Sequence, residues 1–427
     1  MSKRTVYKNA KLRHEANLSD FVVCDGKFVE IGAGCGEKYK DAKVVDLEGR
    51  LTCEPYVESH IHLDYVYTAA LPAEETTSGT LFEAIDRWSD SKHLLTKESI
   101  KARAYKGINK EVSNGVQYIR THVDVTDPKL TAVKAMLEVK EEVKDLIDMQ
   151  LIAFPQEGMY AYKGGADLVE EAVKMGCDVV GGIPHFEHTR EDGVYSVKKA
   201  IEIAMKYDKL VDLHCDETDD EQSRFVEVLA SMAYDSGMLD KVTASHTCAM
   251  SSYNNAYAFK LFHILSKSKI NFVSCPTENI YLQGRYDTYP KRRGLTRIKE
   301  LTEAGMNVSF AQDSISDPWY PLGNGNLIHQ VDFGLHCGHM MRVPEINRGL
   351  DFITKNGAKT LKLSDGYDMK VGNDASFIVL DAQNEFEAIR ERAQVILSIR
   401  KGEVLVEKTP VQYKVNRLQD RIQNKKF

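Results

Sequence analysis

The chain has 427 residues, with 56 Lys and Arg against 63 Asp and Glu, a formal charge of −7, and 43% hydrophobic against 28% charged residues. This is the balance of an ordinary globular chain, long enough to bury a large core without disulfide bridges. A mild acidic excess argues against nucleic acid as the main partner, because phosphate binding wants clustered positive charge and Lys291-Arg292-Arg293 is the one dense basic cluster.

The chain begins without the apolar run of a secretory signal, and no stretch of about 18 apolar residues follows that would suit a membrane span. The eight cysteines are scattered with no CxxC pair, so the thiols are expected to be reduced and the compartment cytoplasmic. Short β-like runs open the chain at 5–7, 20–24, 27–31 and 42–46, with turn signals at Asp25-Gly26 and across 32–36. From about 55 the rhythm changes. Val- and Ile-rich runs at 56–60, 116–122, 149–155, 178–185, 210–215, 242–246, 270–276 and 307–313 alternate with helical stretches such as 130–146, 166–175, 196–207 and 221–236. Eight buried-type strands alternating with helices predict an α/β fold, a (β/α)8 TIM-like barrel. Further β runs at 375–380, 395–400 and 404–406 close the chain. The expected organisation is a barrel over 55–346. A small β-sandwich is expected from both termini, residues 1–54 plus 347–427, with a C-terminal extension.

In such a barrel, reactive groups sit at the C-terminal ends of the strands. The predicted strands end in His60-Ile-His62-Leu-Asp64, His122-Val-Asp124, Gln156-Glu157, His185-Phe-Glu187, His214-Cys-Asp216-Glu217, His246, Thr277-Glu278-Asn279 and Asp313-Ser314. One strand-end histidine is more often a satisfied core residue than a ligand; a His or Asp at nearly every strand end is hard to assign to chance. Residues i and i+2 of a strand point the same way, so His60 and His62 can reach one metal. Joined by a further strand-end His and an Asp, they would suit a borderline divalent ion with an open position for water. Glu217, three residues past His214, could relay that water's proton; its bland alternative is a carboxylate opening the next helix.

These residues belong to longer matches: 58–64, Arg120-Thr-His-Val-Asp124, Pro184-His-Phe-Glu187, His214-Cys-Asp-Glu217, 282–294 and 317–323. Over nearly its whole length the chain resembles the bacterial cytosine deaminases of the amidohydrolase superfamily. The resemblance implies His60, His62, His214 and Asp313 as ligands of one divalent ion per subunit, Zn or Fe. It implies Glu217 as proton shuttle, His246 as the group orienting the attacking water, and Asp313 as a further base. It also implies Gln156 on the substrate's amide edge and Trp319 as a pocket wall. His185 stands where a bridging lysine would be needed for two metals, so a mononuclear centre is expected.

Two departures bear on substrate. Strand eight ends in Gln312-Asp313-Ser314 where the family usually has His-Asp-Asp, and Glu278 stands where the family has an apolar residue. Both Ser314 and Glu278 are therefore expected at the substrate. The expectation is hydrolytic deamination of a cyclic amidine, cytosine to uracil and ammonia first, with creatinine or isocytosine as rivals. Cyclic-amide hydrolysis is a more distant alternative that a strand-four lysine would favour. The resemblance further implies a homo-oligomer acting on a small molecule, with no nucleic acid or membrane partner.

Overall fold

The structure is a computed structural model that describes residues 4–71, 77–363 and 366–412. Residues 413–427 of the expected C-terminal extension, with 1–3 and 364–365 of the expected sandwich, lie outside the described residues. The strands, in chain order, are β1 (Arg4–Leu12), β2 (Ser19–Cys24), β3 (Lys27–Gly32), β4 (Lys43–Asp46), β5 (Leu51–Cys53), β6 (Tyr56–Ile61), β7 (Val116–Asp124) and β8 (Asp148–Phe154). They continue as β9 (Val179–Val180), β10 (Leu210–Cys215), β11 (Val242–His246), β12 (Asn271–Ser274), β13 (Val308–Phe310), β14 (Phe377–Leu380), β15 (Val395–Arg400) and β16 (Glu403–Glu407).

Both ends of the chain build one sheet, in the order β16-β15-β14-β5-β1-β2-β3, with β4 added parallel to β1. Asp25 and Gly26 both take positive φ, 50° and 79°, the two-residue turn that Asp-Gly favours between antiparallel strands. β5 is the weld between the termini. It runs parallel to β1 and antiparallel to β14, yet three residues carry too little periodicity to announce a strand. The inner side is aromatic: Phe21 stacks on Tyr7 with centroids 5.1 Å apart and meets Phe377 edge-on at 4.9 Å.

The middle of the chain is the parallel barrel, β6 through β13 in sequence order, with helices between the strands. The helical stretches appear as Thr131–Glu142, Gly165–Met175, Arg190–Tyr207 and Phe225–Asp235. The apolar interior of strands and helices forms one large core including Ile119, Leu151, Val211, Leu229 and Phe272. Three barrel strands are clearly shorter than their sequence runs, β13 keeping only Val308–Phe310 of 307–313. β9 spans only Val179–Val180, although Gly181 N–H still donates to the Ala153 carbonyl at 3.0 Å; a Cβ on Gly181 would stand 2.7 Å from that oxygen, so glycine fits there. Pro184 then opens a 3-10 turn, Pro184–Phe186, so His185 lies on that turn and not on a strand. β12 gives way at Pro276 to the helix Pro276–Leu282, which carries Glu278 in its first turn; the expected strand-seven loop is a helix.

Between β13 and β6 the barrel closes on very few backbone bonds. Asp313 N–H donates to the His60 carbonyl at 2.8 Å and His62 N–H to the Asp313 carbonyl at 3.1 Å. Side chains complete the seam: Ser59 and Ser309 hydroxyls meet at 3.0 Å, and the Glu58 carboxylate accepts from His60 N–H at 3.0 Å and Gln312 N–H at 3.1 Å. Among the described residues no helix is long and apolar enough to cross a membrane.

Candidate metal centre and active site

The seam sets the site. By pairing with Ile61, Asp313 is inserted between the two histidines that flank it on β6. Its Oδ1 lies 3.4 Å from His60 Nε2 and 3.5 Å from His62 Nε2. His214, on β10 across the barrel, brings its Nε2 to 3.0 Å from His62 Nε2. One donor atom from each of His60, His62, His214 and Asp313 lies within 4.8 Å of the others, and all four residues are buried. The backbone cooperates at some strain, because Asp313 and His246 both sit in the left-handed region, at φ 66° and 68°.

This cluster fits a divalent cation. Burial pushes the His62 and His214 imidazoles well below their ordinary value, and neutral imidazole is the ligating form. Burial raises Asp313, but His60, through proximity and a polar contact, together with His246 and His62 outweighs it and holds the carboxyl below its usual range. Among the described residues, His60 Nε2, which faces Asp313, is buried without a hydrogen-bond partner. Three imidazoles and one carboxylate are a donor set for Zn²⁺ or Fe²⁺.

Glu217 stands beside this cluster, buried. Its Oε1 lies 3.3 Å from Asn279 Nδ2 and 3.4 Å from His246 Nδ1. Burial first, and the charge of Asp313 second, push its carboxyl well above the usual carboxylate range. It does not open the next helix. Asp216 does that, accepting from Phe225 N–H at 2.9 Å and Val226 N–H at 2.8 Å, and so fixes the loop that carries Glu217. Asn279 Nδ2 also meets His246 Nδ1 at 3.2 Å, so one amide orients both side chains. His246 Nδ1 is 3.8 Å from Asp313 Oδ2.

A small pocket adjoins the cluster, lined by His62, Tyr65, Gln156, His214, Glu217, Glu278, Asp313 and Trp319, with Leu81 and Ile183 as apolar walls. Trp319 stacks on Tyr65 at 4.6 Å, and Tyr65 on His62 at 4.5 Å. The Gln156 carbonyl accepts from Tyr65 O–H at 3.4 Å. Glu278 is buried with Oε2 unpartnered; burial, then Asp313, Asp317 and Glu217, raise its carboxyl. Ser314 does not line the cavity itself. It lies beside Glu278 and Asp317 and favours their charged forms, against the burial that pushes Asp317 up to about 8.

The structure thus gathers His60, His62, His214, Asp313, Glu217 and His246 at one point, with Gln156, Glu278 and Trp319 around the adjoining cavity. His185 is buried outside the cluster, and neither of its ring nitrogens has a side-chain partner. Tyr65, Asn279, Leu81 and Ile183 were not singled out in the sequence. Asn279 had a visible signal, since it follows Glu278 directly, and Tyr65 is the first aromatic after the His-x-His run.

A profile described as Amidohydrolase family matches residues 43–406. The crystal structure of 5-methylcytosine deaminase from Klebsiella pneumoniae, liganded with 5-fluorocytosine, superposes with a TM-score of 0.93 at 51% identity, covering 96% of this chain and 99% of that one. N-isopropylammelide isopropyl amidohydrolase of Pseudomonas sp. (strain ADP) is 28% identical over 94% of this chain and 96% of its own length. The pterin deaminase of Rhizobium rhizogenes (strain K84 / ATCC BAA-868) is 26% identical over 92% of this chain and 89% of its own length.

Proposed function

The chain belongs to the amidohydrolase family, as a hydrolase acting on C–N bonds, and from that premise we propose that it deaminates cytosine and 5-methylcytosine. The reaction adds water at the amine-bearing ring carbon, breaks the exocyclic C–N bond and releases ammonia, leaving uracil or its 5-methyl derivative. His60, His62, His214 and Asp313 hold one divalent cation, Zn²⁺ or Fe²⁺. That cation supplies Lewis acidity, which makes water a nucleophile at neutral pH.

The chain's own residues do the rest. Gln156 presents an amide that matches the amide edge of the ring in two hydrogen bonds. Tyr65 and Trp319 wall the ring, and Ile183 and Leu81 give its 5-substituent an apolar surround. His246, steadied by Asn279, orients the attacking water, and Asp313 faces it as a further base. Glu217 takes one proton from the water and places it on the ring nitrogen, then takes the second proton from the added hydroxyl and delivers it to the departing amine. Burial beside Asp313 raises its carboxyl, so it holds a proton more strongly than an exposed carboxylate would. Glu278 and Ser314 set the hydrogen-bond pattern at the far side of the ring. The carrying observation is Glu217 lining the same small cavity as three of the four cluster residues.

A second reading, deamination of creatinine, is favoured by Glu278, whose buried and unpartnered Oε2 could receive the donors of a cyclic guanidine. Ammonia release after Zn²⁺ or Fe²⁺ loading, measured side by side on cytosine, 5-methylcytosine, isocytosine and creatinine, separates the two. Turnover of the two cytosines is expected. Release from creatinine or isocytosine alone would overturn the proposed substrate.

A further inference from the structure

Beneath the cavity, the barrel interior holds a row of polar side chains that the mechanism above does not use. Arg120 on β7, Asp212 on β10 and Ser245 on β11 are fully buried beside His60 on β6. Barrel interiors are usually packed with branched apolar residues, so a buried charge pair here needs a reason. Stability alone is a weak one, since buried ion pairs are often no better than apolar packing.

The hydrogen bonds run in one direction. Arg120 is held by the Gln150 side-chain carbonyl at 2.9 Å and the Thr360 backbone carbonyl at 2.9 Å, and its Nη1 donates to Asp212 Oδ2 at 3.0 Å. Ser245 Oγ donates its one hydrogen to Asp212 Oδ1 at 2.7 Å. Toward His60 the same hydroxyl is therefore an acceptor, and it lies 3.0 Å from His60 Nδ1. A His60 ring that ligates through Nε2 then carries its proton on Nδ1, against this acceptor. His122 Nε2 lies 3.1 Å from the same nitrogen. His60 Nε2 is left as a bare lone pair beside Asp313, and it has no hydrogen-bond partner of its own.

We propose that Arg120, Asp212 and Ser245 form a positioning relay that fixes the tautomer and ring orientation of His60 and makes its Nε2 a stronger donor to the cation. The inference rests on the reading of His60 as a ligand. Partners behind ligating histidines act in this way elsewhere, and losing one typically costs 10–100-fold in metal affinity.

The test uses the full-length protein. Zn²⁺ affinity is read by chelator competition, and ligand geometry by the visible spectrum of the Co²⁺-loaded protein, for wild type, Ser245→Ala, Ser245→Thr and His60→Ala. Ser245→Ala is expected to lose about 10–100-fold in Zn²⁺ affinity and to shift the Co²⁺ bands. Ser245→Thr, which returns the hydroxyl, should recover both. Wild-type affinity and spectrum in Ser245→Ala, or an equal loss in Ser245→Thr, overturns the relay. His60→Ala separates the two levels. If it loses Zn²⁺ while Ser245→Ala keeps it, only the relay fails; if it keeps Zn²⁺, the ligand reading falls and the relay with it. The ¹⁵N shifts of His60 in the wild-type Zn²⁺-loaded protein need no variant: a proton on Nδ1 supports the relay, and one on Nε2 overturns it.

Discussion

The terminal sheet and the strand-end face of the barrel are both buried, but they satisfy burial in opposite ways. In the sheet, Tyr7, Phe21, Phe28 and Phe377 meet ring to ring, and nothing outside the protein is needed to complete them. At the strand ends, His62, His214, Glu217 and Glu278 are just as deeply buried, yet nitrogen and oxygen atoms there lack partners within the described residues. The first region is complete as folded. The second is completed by a cation and a substrate, so the two should answer differently to the same kind of damage.

Phe21→Ala is expected to have the largest effect on stability, about 3–5 kcal/mol, from the cavity left among three aromatic partners. Denaturant unfolding checks this, while turnover per folded, metal-loaded molecule should be unchanged; a comparable loss of turnover would break the contrast. Glu217→Gln should do the reverse. Metal content and Tm should hold while kcat falls about 10²–10⁴-fold, the usual worth of a positioned acid–base group. A near wild-type rate would remove Glu217 from its role. Glu278→Leu should leave metal content alone and change the ratio of kcat/KM between cytosine and creatinine, by about tenfold or more for one buried hydrogen-bonding group.

The smallest effect sharpens the comparison within the barrel. Glu111, on the helix Lys97–Ser113, is fully buried and burial pushes its carboxyl up to about 8 from 4.5. The folded chain keeps a proton there that the unfolded chain releases at lower pH. The stability this group contributes is fully present below about pH 4.5 and is lost as pH rises through about 8. Wild-type Tm should therefore fall, relative to Glu111→Gln, by a few degrees between pH 5 and 8. Parallel Tm profiles would show that Glu111 is ionised or solvated in the fold.

How much of this was legible in the sequence follows from the range of each signal. His60 and His62 announce themselves because strand alternation is local, and Glu217 because it follows a strand-end histidine. The barrel was readable from repeated buried runs, as was the contribution of both termini to one sheet. What was not readable depends on contacts across the barrel. Asn279 matters through Glu217 and His246, and Ser245 through Asp212 and His60, residues far away along the chain. β5 was missed because three residues carry no period. The run at 178–185 overstates β9 because its apolar residues continue through Gly181 and Gly182 to Pro184, where the chain turns.

The central claim is that the strand-end face is a one-cation deamination site. It is tested most directly by titrating Zn²⁺ into chelator-stripped protein while following ammonia release from 5-methylcytosine. Activity should rise linearly from near zero and saturate at one equivalent per chain. Full activity in the stripped protein, or saturation only at two equivalents, would contradict it.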